Sequence, residues 1–255
     1  MNQVIQIARL TFSEALRNKI AYGMLAFIVI LLLSSAALAS VTMGRTELMI
    51  IDLGLGAISI MGNLMAVVFT IQTLQQEKEG RTLYVLLTRT SNRWIYILGK
   101  FLGLAAILGL QILLMCLILG SFSALFGHFF WVSFLQASFA TVLEVWVVIA
   151  IAMIFAQTSS LFLAILLTFS IDICGRFTNI IYHLGAQSDI PAIRIVSQVI
   201  YYLLPNFETI NLRNGAGYIA TYTAHKILLT LSYGISEIGL LILIAAWIFQ
   251  RRNLS

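Results

Sequence analysis

Three carboxylates stand inside apolar runs of this chain: Glu144, Asp172 and Glu237. A carboxylate in such a segment is costly, and it is normally turned toward a protein interior or a wet cavity. Two kinds of chemistry follow. The acids can line a substrate path or gate, or they can hold neighbouring helices together as protonated or hydrogen-bonded glue. Both readings stay open for Glu144 and Glu237, which fall near the middle of their segments. Asp172 precedes Arg176 by one helical turn, a spacing that predicts an ion pair on one helix face.

The other reactive side chains form no pattern. The chain has no Gly-x-Ser-x-Gly, no His-Glu-x-x-His and no glycine-rich loop closing on Lys-Ser or Lys-Thr. His128, His183 and His225 are scattered near the ends of apolar runs, and no metal site is expected from them. Cys116 and Cys174 have no metal-ligand spacing and imply no disulfide framework. No cofactor and no catalytic residue is expected in this chain. An enzyme embedded in the membrane and built on Glu144, Asp172 or Glu237 is the alternative, and no motif supports it.

The elements that must position these acids follow from composition. Of 255 residues, 60% are hydrophobic and 10% are charged, and the mean hydropathy is +0.98. Soluble domains carry roughly 25% charged residues, so this surface faces lipid. A net charge of +5 would suggest nucleic acid in a soluble protein. Here the bases flank apolar runs, so the bilayer is the expected partner and nucleic acid is not.

A helical crossing needs about 20 apolar residues, and six runs are candidates: Ile20–Val41, Leu53–Leu74, Phe101–Phe126, Val132–Ala156, Ser160–Cys174 and Ile227–Phe249. The fifth is short and is expected to continue past Gly175. The first is read as a retained span rather than a cleaved signal. Residues 1–19 read as an interfacial helix, with Ile5, Ala8, Phe12, Ala15 and Leu16 on one face. The second run is rich in small residues (Gly54, Gly56, Ala57, Ser59, Gly62), followed by Asn63. These let helices approach closely, within the chain or between subunits. The expected fold is an all-α, polytopic membrane protein, a single transmembrane unit over residues 1–255.

Six crossings place both termini on one side. Arg9, Arg17, Lys19, Lys78, Arg81, Arg89, Arg93, Lys100, Arg251 and Arg252 then share that side, against Arg45, Arg176, Arg194, Arg213 and Lys226 on the other. The base-rich side is expected to be cytoplasmic. The long outer segment, 175–226, contains the amphipathic stretch Ile193–Leu204. It is read as an interfacial or re-entrant helix ended by Pro205-Asn206.

Residues 75–100 form a charged island between two spans, QQEKEGRTLYVLLTRTSNRWIYILGK. Leu83, Leu86 and Leu87 recur at helical spacing between the charges, so the island reads as a short amphipathic helix with a face to dock. A topology-setting loop is the plainer alternative.

The island resembles the segment after the second span of ABC-2 type permeases, the membrane subunits of a class of ABC transporters. The resemblance rests on Glu77, Glu79, Arg81, Thr82, Leu83, Leu86, Leu87, Arg93, Gly99 and Lys100, with Thr90 where the family usually has a proline. Leu204-Pro205-Asn206-Phe207-Glu208 is similar to a stretch before the last span in some members. The resemblance implies that the island is a coupling helix seated in a cleft of a cytoplasmic ATPase. It also implies two ATPase copies, which bind ATP and Mg, and a second permease. The function it implies is export across a bacterial inner membrane. A membrane subunit that passes ATPase motion to envelope partners without transport is the alternative.

Overall fold

The computed structural model of the chain describes residues 2–17, 29, 46–79, 93–188 and 190–251. The first expected span, Ile20–Val41, lies outside the described residues apart from Val29. So does the centre of the island, with Arg81, Thr82, Leu83, Leu86 and Leu87.

Among the described residues the elements are helices. They are α1 (Asn2–Arg17), α2 (Thr46–Glu79), α3 (Arg93–Ser123), α4 (Trp131–Thr158), α5 (Leu161–Arg176), α6 (Thr178–Ala186), α7 (Pro191–Leu203), α8 (Phe207–Ile210) and α9 (Ala224–Arg251). A single 3-10 turn, Arg213–Gly215, follows α8. Four of these helices are long and apolar enough to cross a bilayer: α2, α3, α4 and α9. The pair α5 and α6, bent by 55° at Phe177, makes a fifth when taken as one span. The expected continuation past Gly175 is therefore present as a bent helix. The chain is an all-helical, multi-pass membrane protein.

The boundaries follow local chemistry. Pro191 opens α7, where its missing N–H costs nothing. Asn206 caps α8 by accepting from the N–H groups of Glu208 (3.1 Å) and Thr209 (3.3 Å). Gly217 adopts φ +79°, a left-handed conformation that a side chain would oppose. Its carbonyl accepts from the Phe130 N–H at 3.3 Å, and its own N–H donates to Ser133 Oγ at 3.0 Å.

Helix α4 is the hub. It packs against α2, α3, α5 and α9, and most of its length is buried. Helix α9 covers one side only and leaves Leu228, Ile235, Leu243 and Trp247 outward, as a lipid-facing helix does.

Helix α1 lies across the start of α3. A side-chain carbon on Gly99 would meet Ile7 Cβ at 2.8 Å, and one on Gly103 would meet the Ala8 carbonyl oxygen at 2.7 Å. Two glycines one turn apart let the helices touch. Of the expected face, Ala8 and Phe12 are half-buried toward the bundle. Ile7 and Thr11 are buried, whereas Ile5 is 57% exposed. The glycine seam of α3 gives α1 a packing surface that amphipathic spacing alone did not indicate.

Helix α1 and the end of α9, whose Phe249 ring stacks on Tyr96 at 5.3 Å, share one end of the bundle. The start of α2 sits at the far end, where its Glu47 carbonyl accepts from Ser123 Oγ at 2.9 Å.

Candidate functional site

Two polar centres are buried in the bundle. The first is built around Glu144, in mid α4. Arg176, the last residue of α5, donates to Glu144 Oε1 at 2.5 Å. Ser59 Oγ and Asn63 Nδ2 of α2 donate to the same oxygen at 3.1 and 3.2 Å. Arg213 reaches Oε2 at 3.4 Å from the 3-10 turn. Asp172 accepts from Asn63 at 2.9 Å and pairs with Arg176 at 3.5 Å, the contact its spacing predicts.

The result is a quartet of two carboxylates and two guanidiniums, formally neutral. Taking an ion from water costs several kcal/mol, and only close pairing with full hydrogen bonding offsets this. Glu144 accepts three hydrogen bonds and makes a further ion pair with Arg213, so the fold surrounds it with polar partners. Arg213 is held in turn by Asn211 Oδ1, which accepts from its Nε at 3.1 Å and from its backbone N–H at 2.9 Å.

The segment 204–222 carries Arg213 inward. Phe207 is buried against Gly175, where a side-chain carbon would lie 2.6 Å from the Pro205 carbonyl. Asn206 donates through its amide to Asn179 at 2.8 Å and through its backbone N–H to the Tyr233 hydroxyl at 2.7 Å. Tyr222 donates to the Leu212 carbonyl and accepts from the Gly215 N–H. Burial pushes its hydroxyl pKa up, which keeps that donor protonated. Part of the expected outer loop is thus folded into the far end of the bundle. Of the stretch Ile193–Leu204, all but Leu204 lies within α7, which packs on α6 and ends before Pro205 as expected.

Glu237 is half-buried on α9 and shares none of the hydrogen bonds around Glu144. The structure therefore separates the two acids that the sequence treats alike. Among the described residues no three His, Cys, Asp or Glu side chains converge on a metal-sized site.

The second centre lies at the α1 end, at the stems of the island. Lys100 of α3 is fully buried and donates to Glu77 of α2. Tyr96 donates to the other Glu77 oxygen at 2.5 Å. Glu14 of α1 lies 4.0 Å from the Lys100 ammonium. One turn away, Gln75 donates to the carbonyls of Ala156 (3.2 Å) and Ser159 (2.9 Å), and Lys78 donates to Ala156. These are the orphan carbonyls at the end of α4, where a cation is also favoured by the helix dipole.

The island thus differs from a fully aqueous segment at both ends. Helix α2 continues to Glu79, α3 begins at Arg93, and Gln75, Glu77, Tyr96 and Lys100 are buried. Glu77 is turned into the bundle, toward Lys100. Glu79 and Arg93 mark the two helix ends that flank the undescribed centre.

Sequence reasoning missed Arg213 and Asn63 as partners of Glu144, and Tyr96 as a partner of Glu77. The available signals were a polar Asn beside small residues in a span, and an arginine just after a proline-broken segment.

No protein-family model matches the chain. It is 30% identical over 118 residues to the probable ABC transporter permease protein NosY of Stutzerimonas stutzeri. The match covers 45% of this chain and 43% of that relative, so it spans less than half of each. That similarity, together with the apolar helices, supports a membrane permease subunit.

Proposed function

We propose that this chain is an ABC-2 type permease subunit of an ABC transporter, driven by ATP hydrolysis in a separate ATPase, and that it works as an exporter. In this reading the α1 end faces the cytoplasm of a bacterial inner membrane. Residues 75–100 carry the coupling contact. Two permeases and two ATPases, the latter holding ATP and Mg, form the working unit. Glu144 acts as a gate element on the far side.

The observation that carries the reading is the clamp at the stems of the island. Glu77, Lys100 and Tyr96 tie α2 to α3, while Gln75 and Lys78 tie α2 to the end of α4. A push on the island would reach three helices through buried contacts. An element transmits motion when it is packed against what must move, and a ligand shifts it only through contacts that differ between states. An ATPase cleft that closes on the island would supply that difference. The similarity to NosY supports the same class. The six-span count is supported by geometry as well: α1 and the start of α2 lie at opposite ends of the bundle, as a crossing between them requires.

The test is purification from native membranes in mild detergent. The account expects a nucleotide-binding ATPase to co-purify, with ATP turnover in the complex. Purification of the chain alone, with no ATP turnover in any fraction that contains it, would contradict the reading.

A further inference from the structure

The structure assigns a further polar site, a cleft near the far end that takes a zwitterionic lipid headgroup: phosphate on Arg213, ammonium on Asp52. This inference needs only a membrane-spanning chain and is independent of the permease reading.

The cleft has a volume of about 440 Å³ and is lined by Asp52, Gly56, Asn211, Arg213 and Asn214. One wall carries a carboxylate from α2. The opposite wall carries a guanidinium and two side-chain amides from the 210–215 segment. One negative and one positive group across a small cleft select a ligand carrying both charges in reverse order. Both groups are held in place. Tyr218 donates to Asp52 Oδ2 at 2.8 Å, leaving its other oxygen to accept. Arg213 is fixed by Asn211 and Glu144, and its side chain is 15% exposed. A guanidinium offers five N–H donors in a fixed fork, so one that already pairs with a carboxylate still has donors for a phosphate.

The surroundings point to a lipid rather than a soluble zwitterion. Asp52 lies about 9 Å along α2 from its Thr46 end, at 1.5 Å per residue. Helix α2, with 34 residues, is about 51 Å long at that rise, so it overhangs a hydrocarbon core of about 30 Å. That places Asp52 near the headgroup level. Met49, Leu53, Ile60 and Leu64 are exposed on one face of α2. Gly56 falls within that stripe, and a side-chain carbon built there meets nothing within 4 Å. The glycine leaves a notch that joins the polar cleft to the lipid-facing stripe. An acyl chain lying along Leu53 and Ile60 would bring its headgroup through that notch.

The experiment is native mass spectrometry of the purified full-length chain in detergent. The probes are dioctanoyl phosphatidylethanolamine, dioctanoyl phosphatidylglycerol and soluble phosphoethanolamine. The expected result is a preference for the ethanolamine lipid over the glycerol lipid of about tenfold, the size of one charge-assisted contact. Asp52→Asn should erase that preference. Gly56→Leu should weaken lipid binding by closing the notch, where a Cβ meets nothing within 4 Å. Arg213→Gln should weaken both lipids. Because Arg213 also pairs with Glu144, the variants at Asp52 and Gly56, outside that network, decide the matter if it fails to fold. Equal retention of the two lipids by the wild type, or a preference that survives Asp52→Asn, would overturn the site. Soluble phosphoethanolamine binding as tightly as the lipid, with Gly56→Leu silent, would overturn the lipid as its occupant.

Discussion

The Glu144 centre and the Glu77 centre both bury charge between helices, but they join different parts of the chain. Glu144 gathers groups from α2, α4, α5 and the 3-10 turn, and its partners Ser59 and Arg213 are remote from it in sequence. Glu77 and Lys100 bracket one connection and close its two stems. The first centre fastens the far end of the bundle, including a segment with little helix of its own. The second fastens the base of a single hairpin and ties it to α1 and α4. Solvent differs as well. Arg176 is 26% exposed in its side chain, whereas Lys100 is fully buried. The far centre balances two carboxylates against two guanidiniums; the near centre is built on one close pair, Glu77 and Lys100, with Tyr96 as a second donor and Glu14 at 4.0 Å from the ammonium.

That contrast ranks the consequences of breaking each. Glu144→Ala leaves Arg176 with Asp172 alone and takes the carboxylate from Arg213, and should cost about 3–5 kcal/mol, the usual penalty for removing one partner of a buried pair. The measurement is the thermal midpoint of the purified protein. A double-mutant cycle sharpens it: Arg213→Gln should cost clearly less in the Glu144→Ala background than alone. Additive costs would mean that the two groups do not act together.

Lys100→Met should cost less, about 3 kcal/mol at most, because Tyr96 still donates to Glu77. Adding Glu77→Gln should recover part of that loss, since no uncompensated carboxylate then remains. A double variant less stable than Lys100→Met would show that Glu77 is held mainly by groups other than Lys100.

The smallest structural effect is expected at the α1 seam. Gly103→Leu has no room against Ala8 and Thr11, and overpacking of this kind costs about 1–3 kcal/mol. It should release α1 while leaving both ionic centres intact. Proteolysis near Glu14 should speed up with little change in the thermal midpoint. Collapse of the whole bundle would mean that α1 is part of the core rather than a helix laid upon it.

The long helices were legible because apolar run length decides them. Leu53–Leu74, Val132–Ala156 and Ile227–Phe249 each fall on one helix, and Phe101–Phe126 falls on α3 except for its last three residues, which lie beyond the helix end at Ser123. The helices overrun the apolar cores of these runs, since polar residues such as Gln75 and Glu77 continue α2 once neighbouring helices satisfy them. The bend at Phe177 was not legible; it depends on Phe207 and Pro205 packing against Gly175.

For the polar centres, one contact was readable and the others were not. Asp172 and Arg176 share a helix face, so spacing alone pairs them. Arg213 reaches Glu144 only because Asn206 and Tyr222 fold the segment between them back into the bundle. Lys100 reads as an aqueous base by its position between two runs, yet its direction from α3 turns it inward to Glu77. Position along the chain indicates the level a side chain reaches. The direction it faces depends on helix packing, which periodicity in so uniformly apolar a chain encodes weakly.

The account rests on the island as the point where an ATPase acts. The most direct measurement compares the wild type with a charge-reversed variant, Glu79→Lys together with Arg81→Glu, in reconstituted membranes with the ATPase. Complex assembly and ATP turnover would be followed together, and Leu86 and Leu87 substituted in parallel. The reversed charges should change stability by no more than about 0.5 kcal/mol, as surface changes typically do, so the protein should insert normally. The account predicts that assembly weakens or that hydrolysis becomes uncoupled from transport. Normal assembly and coupled turnover in the charge-reversed variant, with Leu86 and Leu87 substitutions equally silent, would contradict it and leave the segment a loop that sets topology.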